Sequence, residues 1–433
     1  MGPIPMNRLA AEERKPTLAD DLLIDAEDSP SATPAAARSH PLLLGAALML
    51  VALNLRPMLA SLGPILPEVI RDTGISAAGA SILTTAPVLC LGLSGFLAPR
   101  LARRFGTERT IVLFLLIMAA GTAARGVFGF PGLLVGSIVA GIGVGIIGVL
   151  LPGLVKRDFP GRASLMTGIY TMALCAGASM AAGVTVPLQG LFGGSWPAAL
   201  AFWAVPAVMA ALVWLPLSGK GRREGPVTQV RRVTGLWRDP LAWQVTLYMG
   251  LQSSVAYMLF GWLAPLLRDR GLDPVMAGLV VSSSVIIQIP AALLAPLLAT
   301  RRASQSFAAV FLMGCTIVGL LGIFHAPLET VWLWTVPLGI GQGGNFALAL
   351  TLIVLRSADS HVAAYLSGMA QSVGYTLAAA GPLAVGLLHD WSGDWQAVGV
   401  LFIAICLVAS VAGAAAGRDR HVGAVVTGPS SSS

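Results

Sequence analysis

Charged residues are scarce in this chain. Only 11% of its 433 residues are charged, whereas 56% are hydrophobic and the mean hydropathy is +0.80. An average soluble domain is about 25% charged, so this composition leaves too little polar surface for a soluble enzyme, a nucleic-acid-binding protein or a disordered chain. The 50 glycines and 28 prolines fall within apolar runs, where lipid-embedded helices tolerate them. The composition therefore predicts a polytopic membrane protein.

Acidic side chains are absent from every long apolar run. A helix needs roughly 20 apolar residues to cross a bilayer. Twelve runs meet this length, and we predict membrane spans 1 to 12 over residues 42–67, 77–99, 109–128, 132–155, 164–188, 197–217, 243–267, 275–299, 306–325, 330–355, 363–388 and 396–416. The lack of carboxylates in these runs argues against an Asp/Glu proton relay.

Motifs for cofactors, metals and nucleotides are also missing. The four cysteines lack metal-ligand spacing, and no GxxxxGK[ST] phosphate-binding loop occurs in the sequence. We therefore expect no cofactor, no metal and no nucleotide, and we expect the partners to be a small-molecule substrate and the lipid bilayer.

The basic residues indicate an orientation in the membrane. With the N-terminus in the cytoplasm, 22 of the 27 Lys and Arg residues fall in cytoplasmic segments and 4 fall in external ones. This asymmetry follows the positive-inside rule and explains the basic excess without a nucleic-acid partner. We predict a monomeric, multi-pass protein of the cell (inner) membrane with both termini cytoplasmic.

The two halves of the sequence repeat each other. Residues 70–74 (IRDTG) match 267–271 (LRDRG), and residues 97–99 (LAP) match 294–296 (LAP), both at an offset of 197 residues. Six spans separate matching points, and because six is an even number the halves share one orientation. Parallel repeats of this kind are typical of transporters, whose substrate site lies at the repeat interface near the midplane.

This pattern divides the chain into five segments. We predict a disordered cytoplasmic tail over 1–41, an N-terminal six-helix bundle over 42–217, a cytoplasmic linker over 218–242, a C-terminal six-helix bundle over 243–416 and a disordered cytoplasmic tail over 417–433. The acidic first tail, rich in Ser and Pro, has a composition that cannot bury enough apolar surface to fold. The predicted fold is an all-α membrane protein with twelve transmembrane helices in two six-helix parallel repeats.

Several motifs resemble a known transporter family. The repeat and the basic loop at 101–106 (LARRFG) resemble the major facilitator superfamily, although an Arg stands where the loop usually has an acidic residue. Residues 52–57 (ALNLRP), 150–160 (LLPGLVKRDFP) and 250–253 (GLQS) resemble its cyanate and 2-nitroimidazole transporters. The resemblance covers about 42–416. It implies that spans 1, 4, 7 and 10 line a central cavity, to which spans 5, 8 and 11 contribute.

Arg56 is a charged side chain deep inside a predicted span. It lies more than ten residues from either end of span 1, roughly 15 Å at 1.5 Å per residue, which is too far for its side chain to reach the interface. Without a carboxylate, the partners of Arg56 must be water, a bound anion or backbone carbonyls, some of which Pro57, Pro64 and Pro67 leave without helical donors. A guanidinium can hold a planar, delocalised anion bidentately. We predict that Arg56 is the substrate-anion site.

Other polar side chains within the spans are predicted to bind substrate together with Arg56. They are Gln252 in span 7, Gln342 and Asn345 in span 10, Gln371 and Tyr375 in span 11, Tyr170 in span 5 and Asn54 in span 1. The pairs in spans 10 and 11 each share a helix face, because residues three or four apart are neighbours. Any of these side chains could instead hydrogen-bond another helix. That alternative is strongest for Asn54, which lies about 200° around an ideal helix from Arg56.

The favoured function is a secondary active transporter for a small anionic or polar planar solute. The family resemblance points to a cyanate-like or nitroimidazole-like substrate that moves by alternating access, with Arg56 at the midplane. One alternative is a broad-specificity drug efflux transporter in which Arg56 is structural, but a cationic midplane does not favour lipophilic cations. An intramembrane enzyme or a sensor would need a convergent catalytic set or a soluble output module. The sequence indicates neither.

Overall fold

The computed structural model describes residues 41–127, 129–159, 162–218, 232–358 and 360–427. The predicted tail over 1–41, apart from Pro41, and most of the predicted linker lie outside these residues. Within these described residues, twelve helical segments are long and apolar enough to cross a membrane. They run over Leu42–Thr73, Ala77–Ser94, Thr107–Ala124, Gly129–Val155, Leu165–Leu191, Trp196–Leu217, Pro240–Asp269, Pro274–Ala299, Ser306–His325, Leu328–Leu355, Val362–Ser392 and Trp395–Ala416. They correspond one to one to the predicted spans 1 to 12, which confirms the predicted all-α membrane fold.

Four of these spans consist of more than one helix. The components are Pro41–Asn54, Pro57–Ala60, a 3₁₀ turn at Gly63–Ile65 and Leu66–Thr73 in span 1; Trp196–Phe202 and Ala204–Ser218 in span 6; a 3₁₀ turn at Leu328–Thr330 and Val331–Leu355 in span 10; and Ser360–Ala378 and Ala380–Ser392 in span 11. The helices of spans 4 and 5 extend over Gly129–Asp158 and Ala163–Leu191, a short helix over Ala98–Phe105 joins spans 2 and 3, and a 3₁₀ turn at Leu236–Arg238 precedes span 7.

Pro57 explains why span 1 breaks beside Arg56. A proline has no N–H and its ring clashes with the carbonyl four residues earlier, so Leu53 loses its helical donor. The first helix ends at Asn54, and a new helix starts at Pro57, a residue that suits a first helical position. Gly177 of span 5 packs so closely on the Leu53 carbonyl that a Cβ at this glycine would overlap the oxygen. Arg56 therefore lies at a bend that another span holds in place.

The sequence repeat has a structural counterpart. Asp72 accepts a hydrogen bond from the indole N–H of Trp196 at 3.0 Å, and Asp269 accepts one from Trp395 at 2.9 Å. The aspartates are 197 residues apart and the tryptophans 199. Each pair joins the end of the first span of its half to the start of the last span. Within each half, the same kind of contact thus joins the first span to the last.

Glycines in spans 4 and 10 also pack equivalently in the two halves. A Cβ at Gly145 would lie within 3 Å of Leu91 in span 2, and a Cβ at Gly343 would lie within 3 Å of the Gln288 backbone in span 8. Only glycine allows helix backbones to approach this closely. These contacts stay within one half of the chain, so the glycines hold each group of helices together.

The described part of the predicted C-terminal tail differs from the expectation of disorder. Val425–Thr427 pairs as an antiparallel strand with Arg232–Thr234, which lies in the predicted linker. Val422 is buried, and its N–H donates to the Arg356 carbonyl at 2.9 Å. Residues 417–427 are ordered because their backbone groups and a buried valine find partners at the ends of the helices.

Candidate functional site

Arg56 lines a cavity of about 310 Å³ between helices from both halves of the chain. The walls come from spans 1, 2, 4 and 5 of the first half and spans 7, 10 and 11 of the second. The lining residues Pro152, Thr167, Ile353 and Ser367 lie near the helix ends that are predicted to be cytoplasmic. The cavity therefore extends from Arg56 toward that side of the molecule.

Aromatic rings flank the guanidinium of Arg56. Its central carbon lies 5.8 Å from the ring centroid of Phe260 and 5.7 Å from that of Phe346. Both distances are within the range of a cation–π interaction. Within the described part of the chain, this guanidinium forms no hydrogen bond and no ion pair. The rings stabilise the cation without using its N–H donors, which remain available for a ligand.

Two other arginines bind the carbonyls of span 1. Arg125 is 1% exposed and donates to the Met58 carbonyl at 3.1 Å. Arg268 donates to the Pro64 carbonyl at 2.9 Å. Neither carbonyl is one that a proline of span 1 frees, so these contacts fasten span 1 to spans 3 and 7, while Arg56 binds no carbonyl among the described residues.

Three of the other predicted site residues line the same cavity as Arg56. They are Tyr170, Gln371 and Tyr375. The amide of Gln371 donates to Ser367 at 2.8 Å, one turn earlier on the same helix. The ring of Tyr375 packs edge-on against Tyr257, with centroids 6.2 Å apart. Gln371 and Tyr375, one helical turn apart, both lie on the cavity side of span 11.

Gln252 and Gln342 lie in a smaller polar cavity of about 30 Å³ that Arg56 also lines. The amide nitrogen of Gln252 donates to the Ser253 hydroxyl at 2.7 Å and to the Met249 carbonyl at 3.2 Å. The amide of Gln342 is buried, and among the described residues neither its nitrogen nor its oxygen has a hydrogen-bond partner.

Asn54 and Asn345 are not among the residues that line either cavity. The amide of Asn54 donates to the Leu50 carbonyl of its own helix at 2.7 Å, which is a local contact. Asn345 accepts a hydrogen bond from the Tyr248 hydroxyl at 2.7 Å and donates to Thr316 at 3.3 Å. Asn345 thus joins spans 7, 9 and 10. This is the alternative given above, in which a polar side chain of a span hydrogen-bonds another helix.

The predicted site omits three aromatic residues that surround Arg56. Tyr257 and Phe346 line both cavities, and Phe260 flanks the guanidinium. One signal was available in the sequence, because Phe346 follows Gln342 by one helical turn on the same face. An aromatic residue in an apolar span otherwise reads as core, since sequence pattern alone does not reveal a cation beside it.

Polar contacts close the molecule on the other side of Arg56. Arg268 binds both carboxylate oxygens of Glu68 at 2.7 Å, joining spans 7 and 1. Asp390 of span 11 accepts hydrogen bonds from the backbone N–H groups of Ala77 and Ala78, at 2.9 and 2.8 Å, at the start of span 2. All of these contacts link the two halves at the end that is predicted to be external. The described residues contain no cluster of three or more His, Cys, Asp or Glu side chains that could hold a metal.

Comparison with known proteins identifies the family. A sequence profile of the Major Facilitator Superfamily matches residues 42–380. The chain is 37% identical to the uncharacterized transporter YycB of Bacillus subtilis (strain 168), over 87% of this chain and 93% of that protein. It is 36% identical to the 2-nitroimidazole transporter of Escherichia coli (strain K12), over 88% of this chain and 97% of that protein. It is 30% identical to the cyanate transport protein CynX of the same organism, over 83% and 93% respectively.

A solved structure has the same fold. The crystal structure of a D-xylose-proton symporter matches with a TM-score of 0.69 at 13% identity, covering 88% of this chain and 98% of that one. The relatives are transporters and not enzymes, so the enzyme alternative raised from the sequence is excluded. The chain belongs to the Major Facilitator Superfamily, and its predicted resemblance to the cyanate and 2-nitroimidazole transporters of that family is confirmed.

Proposed function

We propose that this protein is a secondary active transporter of a small planar anion, with Arg56 as the substrate-anion site. The observation that carries the proposal is the guanidinium of Arg56, which lines the central cavity and has no hydrogen-bond or ion-pair partner among the described residues. A cation that deep in a membrane protein is unfavourable unless something pairs with it. A bound anion would supply that partner.

The chemistry of the cavities favours a planar and delocalised anion. No Asp or Glu is among the residues described as lining them, so a cationic substrate would meet only the charge of Arg56. The planar, fork-like guanidinium matches two acceptor oxygens or nitrogens in one plane. The rings of Tyr257 and Phe346 line the same space. Cyanate and 2-nitroimidazole, the solutes named for two relatives, fit this class of planar or linear conjugated compounds.

The position of the cavity supports alternating access. It extends to the predicted cytoplasmic side, while the Glu68–Arg268 ion pair and Asp390 join the halves on the predicted external side. A transporter of this fold exposes one midplane site to each side in turn by rocking its two repeats. The orientation, with both termini cytoplasmic in the inner membrane, remains a prediction from the basic residues.

Replacing Arg56 tests the proposal. We expect Arg56→Ala to reduce anion-dependent thermal stabilisation and flux in proteoliposomes by at least about tenfold, because hydrogen bonds to a charged group are lost. Arg56→Lys should restore little, because it keeps the charge but loses the planar fork. The panel should include cyanate, nitrate, short carboxylates, nitroimidazoles and lipophilic cations.

The matched control is Arg302→Ala, which removes an exposed arginine between spans 8 and 9 and should leave both readouts unchanged. Stabilisation by lipophilic cations alone, equal in the wild-type protein and in Arg56→Ala, would contradict the anion site and favour drug efflux.

A further inference from the structure

We infer that the anion site continues into a second, polar subsite formed around Gln342, which holds a hydrogen-bonding group of the same ligand. This inference rests on the proposed function and narrows its substrate class. The ligand is a planar anion that carries, beyond the group bound by Arg56, a second group able both to donate and to accept a hydrogen bond.

The smaller cavity has the size and lining of such a subsite. It has a volume of about 30 Å³, and its polar lining includes the side chains of Gln252, Gln288 and Gln342. That space accommodates one group of about the size of a water molecule, and not a ring. Because Arg56 and Tyr257 line both cavities, the body of a ligand can stay in the larger cavity while one polar group enters the smaller one.

The observation that points to a ligand is the unpaired amide of Gln342. Its side chain is 3% exposed, and both its Nε2 and its Oε1 lack a partner among the described residues. Buried polar side chains are nearly always hydrogen-bonded, because an unpaired group loses its water without compensation. The neighbouring buried amide of Asn345 shows the usual case, with partners for both its oxygen and its nitrogen.

The helix backbone around Gln342 packs tightly against span 8. The flanking residues Gly339 and Gly343 press against span 8, where a Cβ on either would clash with backbone atoms of Ser284 or Gln288. The nearby amide nitrogen of Gln252 is already bonded to Ser253 and Met249. The backbone at Gln342 is therefore fixed, and its buried, unpaired amide belongs to a residue that lines the smaller cavity.

This arrangement distinguishes among planar anions. An inorganic anion bound at Arg56 leaves both atoms of Gln342 unpaired. A planar aromatic carboxylate with a hydroxyl group on its ring offers one group of this size, which can donate to the Oε1 and accept from the Nε2 of Gln342. Sites built to hydrogen-bond a particular group discriminate strongly against analogues that lack it, because their own polar groups are then left unpaired.

Two planar carboxylates of similar size provide the test. 3-Hydroxybenzoate carries a hydroxyl group that can donate and accept, whereas thiophene-2-carboxylate carries no such group; binding is measured at about pH 7, where a phenol is neutral. In the wild-type protein we expect 3-hydroxybenzoate to bind about tenfold to hundredfold more tightly. In Gln342→Leu that preference should disappear, while thiophene-2-carboxylate binds as before. The matched control is Gln396→Leu, the same change at an exposed glutamine, which should keep the preference.

A second readout separates a ligand-binding role from a structural one. Because the Gln342 amide is unpaired, Gln342→Leu should raise the Tm of the ligand-free protein, whereas removing a structural hydrogen bond would lower it. Retained binding of thiophene-2-carboxylate shows that the variant is folded. Equal affinity of the wild-type protein for the two carboxylates would overturn the subsite and would indicate that a trapped water pairs with Gln342. If that equal binding still depends on Arg56, the proposed anion site is retained. If neither carboxylate binds in an Arg56-dependent manner, both proposals fail.

Discussion

Arg56 is accommodated inside the membrane-spanning part of the protein without a carboxylate. Phe260 and Phe346 lie near the guanidinium, and the residue is partly exposed to the cavity that it lines. Each cation–π contact contributes about 0.5–2 kcal/mol, so the two together are of the same order as the cost of about 2.5–3.5 kcal/mol for a central Arg on insertion scales. The rings do not use the N–H donors of the guanidinium, which only water or an anion in the cavity would pair. These donors are the residue-scale reason to expect a ligand there.

Asn345 illustrates the opposite case at the same scale, a buried amide whose bonds are all within the protein. We expect Asn345→Ala to destabilise the protein by about 0.6–1.7 kcal/mol, the range for hydrogen bonds between membrane helices, because Tyr248 loses its acceptor. Thermal unfolding of Asn345→Ala, Tyr248→Phe and the double variant would give the coupling energy. Ligand affinity should be unchanged in all three. A tenfold loss of affinity with unchanged stability would instead assign Asn345 to the substrate site.

Span 1 shows how one element prepares the site. Three prolines interrupt it, and the resulting segments are held by partners in other spans: Leu53 by Gly177, Met58 by Arg125 and Pro64 by Arg268. Irregular backbone in a membrane is tolerated where protein covers it or where it lines a cavity. The bend next to Arg56 satisfies both conditions, so the anion site is built on a segment that is irregular but firmly packed.

Gly177 provides a test of this packing. Gly177→Ala should destabilise the protein by about 1–3 kcal/mol, because the added methyl group overpacks against the Leu53 carbonyl. It should also weaken anion binding, since Arg56 lies three residues from that carbonyl. Gly314→Ala is the matched control in span 9, where a Cβ meets nothing within 4 Å. This control should be neutral or stabilising by up to about 1 kcal/mol. Equal effects of the two substitutions would show that the Leu53 contact does not position Arg56.

At the scale of the whole molecule, the two halves meet differently on the two sides of Arg56. They are separated by the cavity on one side and joined on the other by the Glu68–Arg268 ion pair and the Asp390 contacts. The Arg268 and Glu68 side chains are only 17% and 12% exposed. Opening the joined side requires all of these bonds to break, so they bias the protein toward the conformation described.

Weakening these contacts should shift the conformational equilibrium. With Thr84→Cys introduced in a background without the native cysteines, we expect Glu68→Gln combined with Asp390→Asn to increase alkylation of that cysteine by a membrane-impermeant reagent about fivefold or more. Thr84 is 9% exposed and packs against Gly261 on the closed side. The rate of alkylation is the measurement.

The control for this experiment is Asp72→Asn. Asp72 lies near the same end, but it bonds to Trp196 within its own half. Its replacement should leave alkylation unchanged. A similar increase in the control, or none in the double variant, would show that the ion pair and the helix contact do not hold this side closed.

Hydropathy and charge were enough to predict the twelve spans, the repeat and the position of Arg56. These features are local: each span must be apolar along its own length to enter a bilayer, whatever its neighbours are. The repeat follows from offsets along the chain, and the Asp72–Trp196 and Asp269–Trp395 contacts agree with it. A charge at the centre of an apolar run is likewise visible without any knowledge of packing.

The composition of the site depended on how the helices pack. Helical spacing placed Gln342 and Asn345 on one face, yet one faces a cavity unpaired and the other joins three spans. The rings of Phe260 and Phe346 became partners of Arg56 only because spans 7 and 10 meet at the bend of span 1. Periodicity tells which residues of a helix share a side, but the neighbour that this side meets is set by contacts far apart in the sequence.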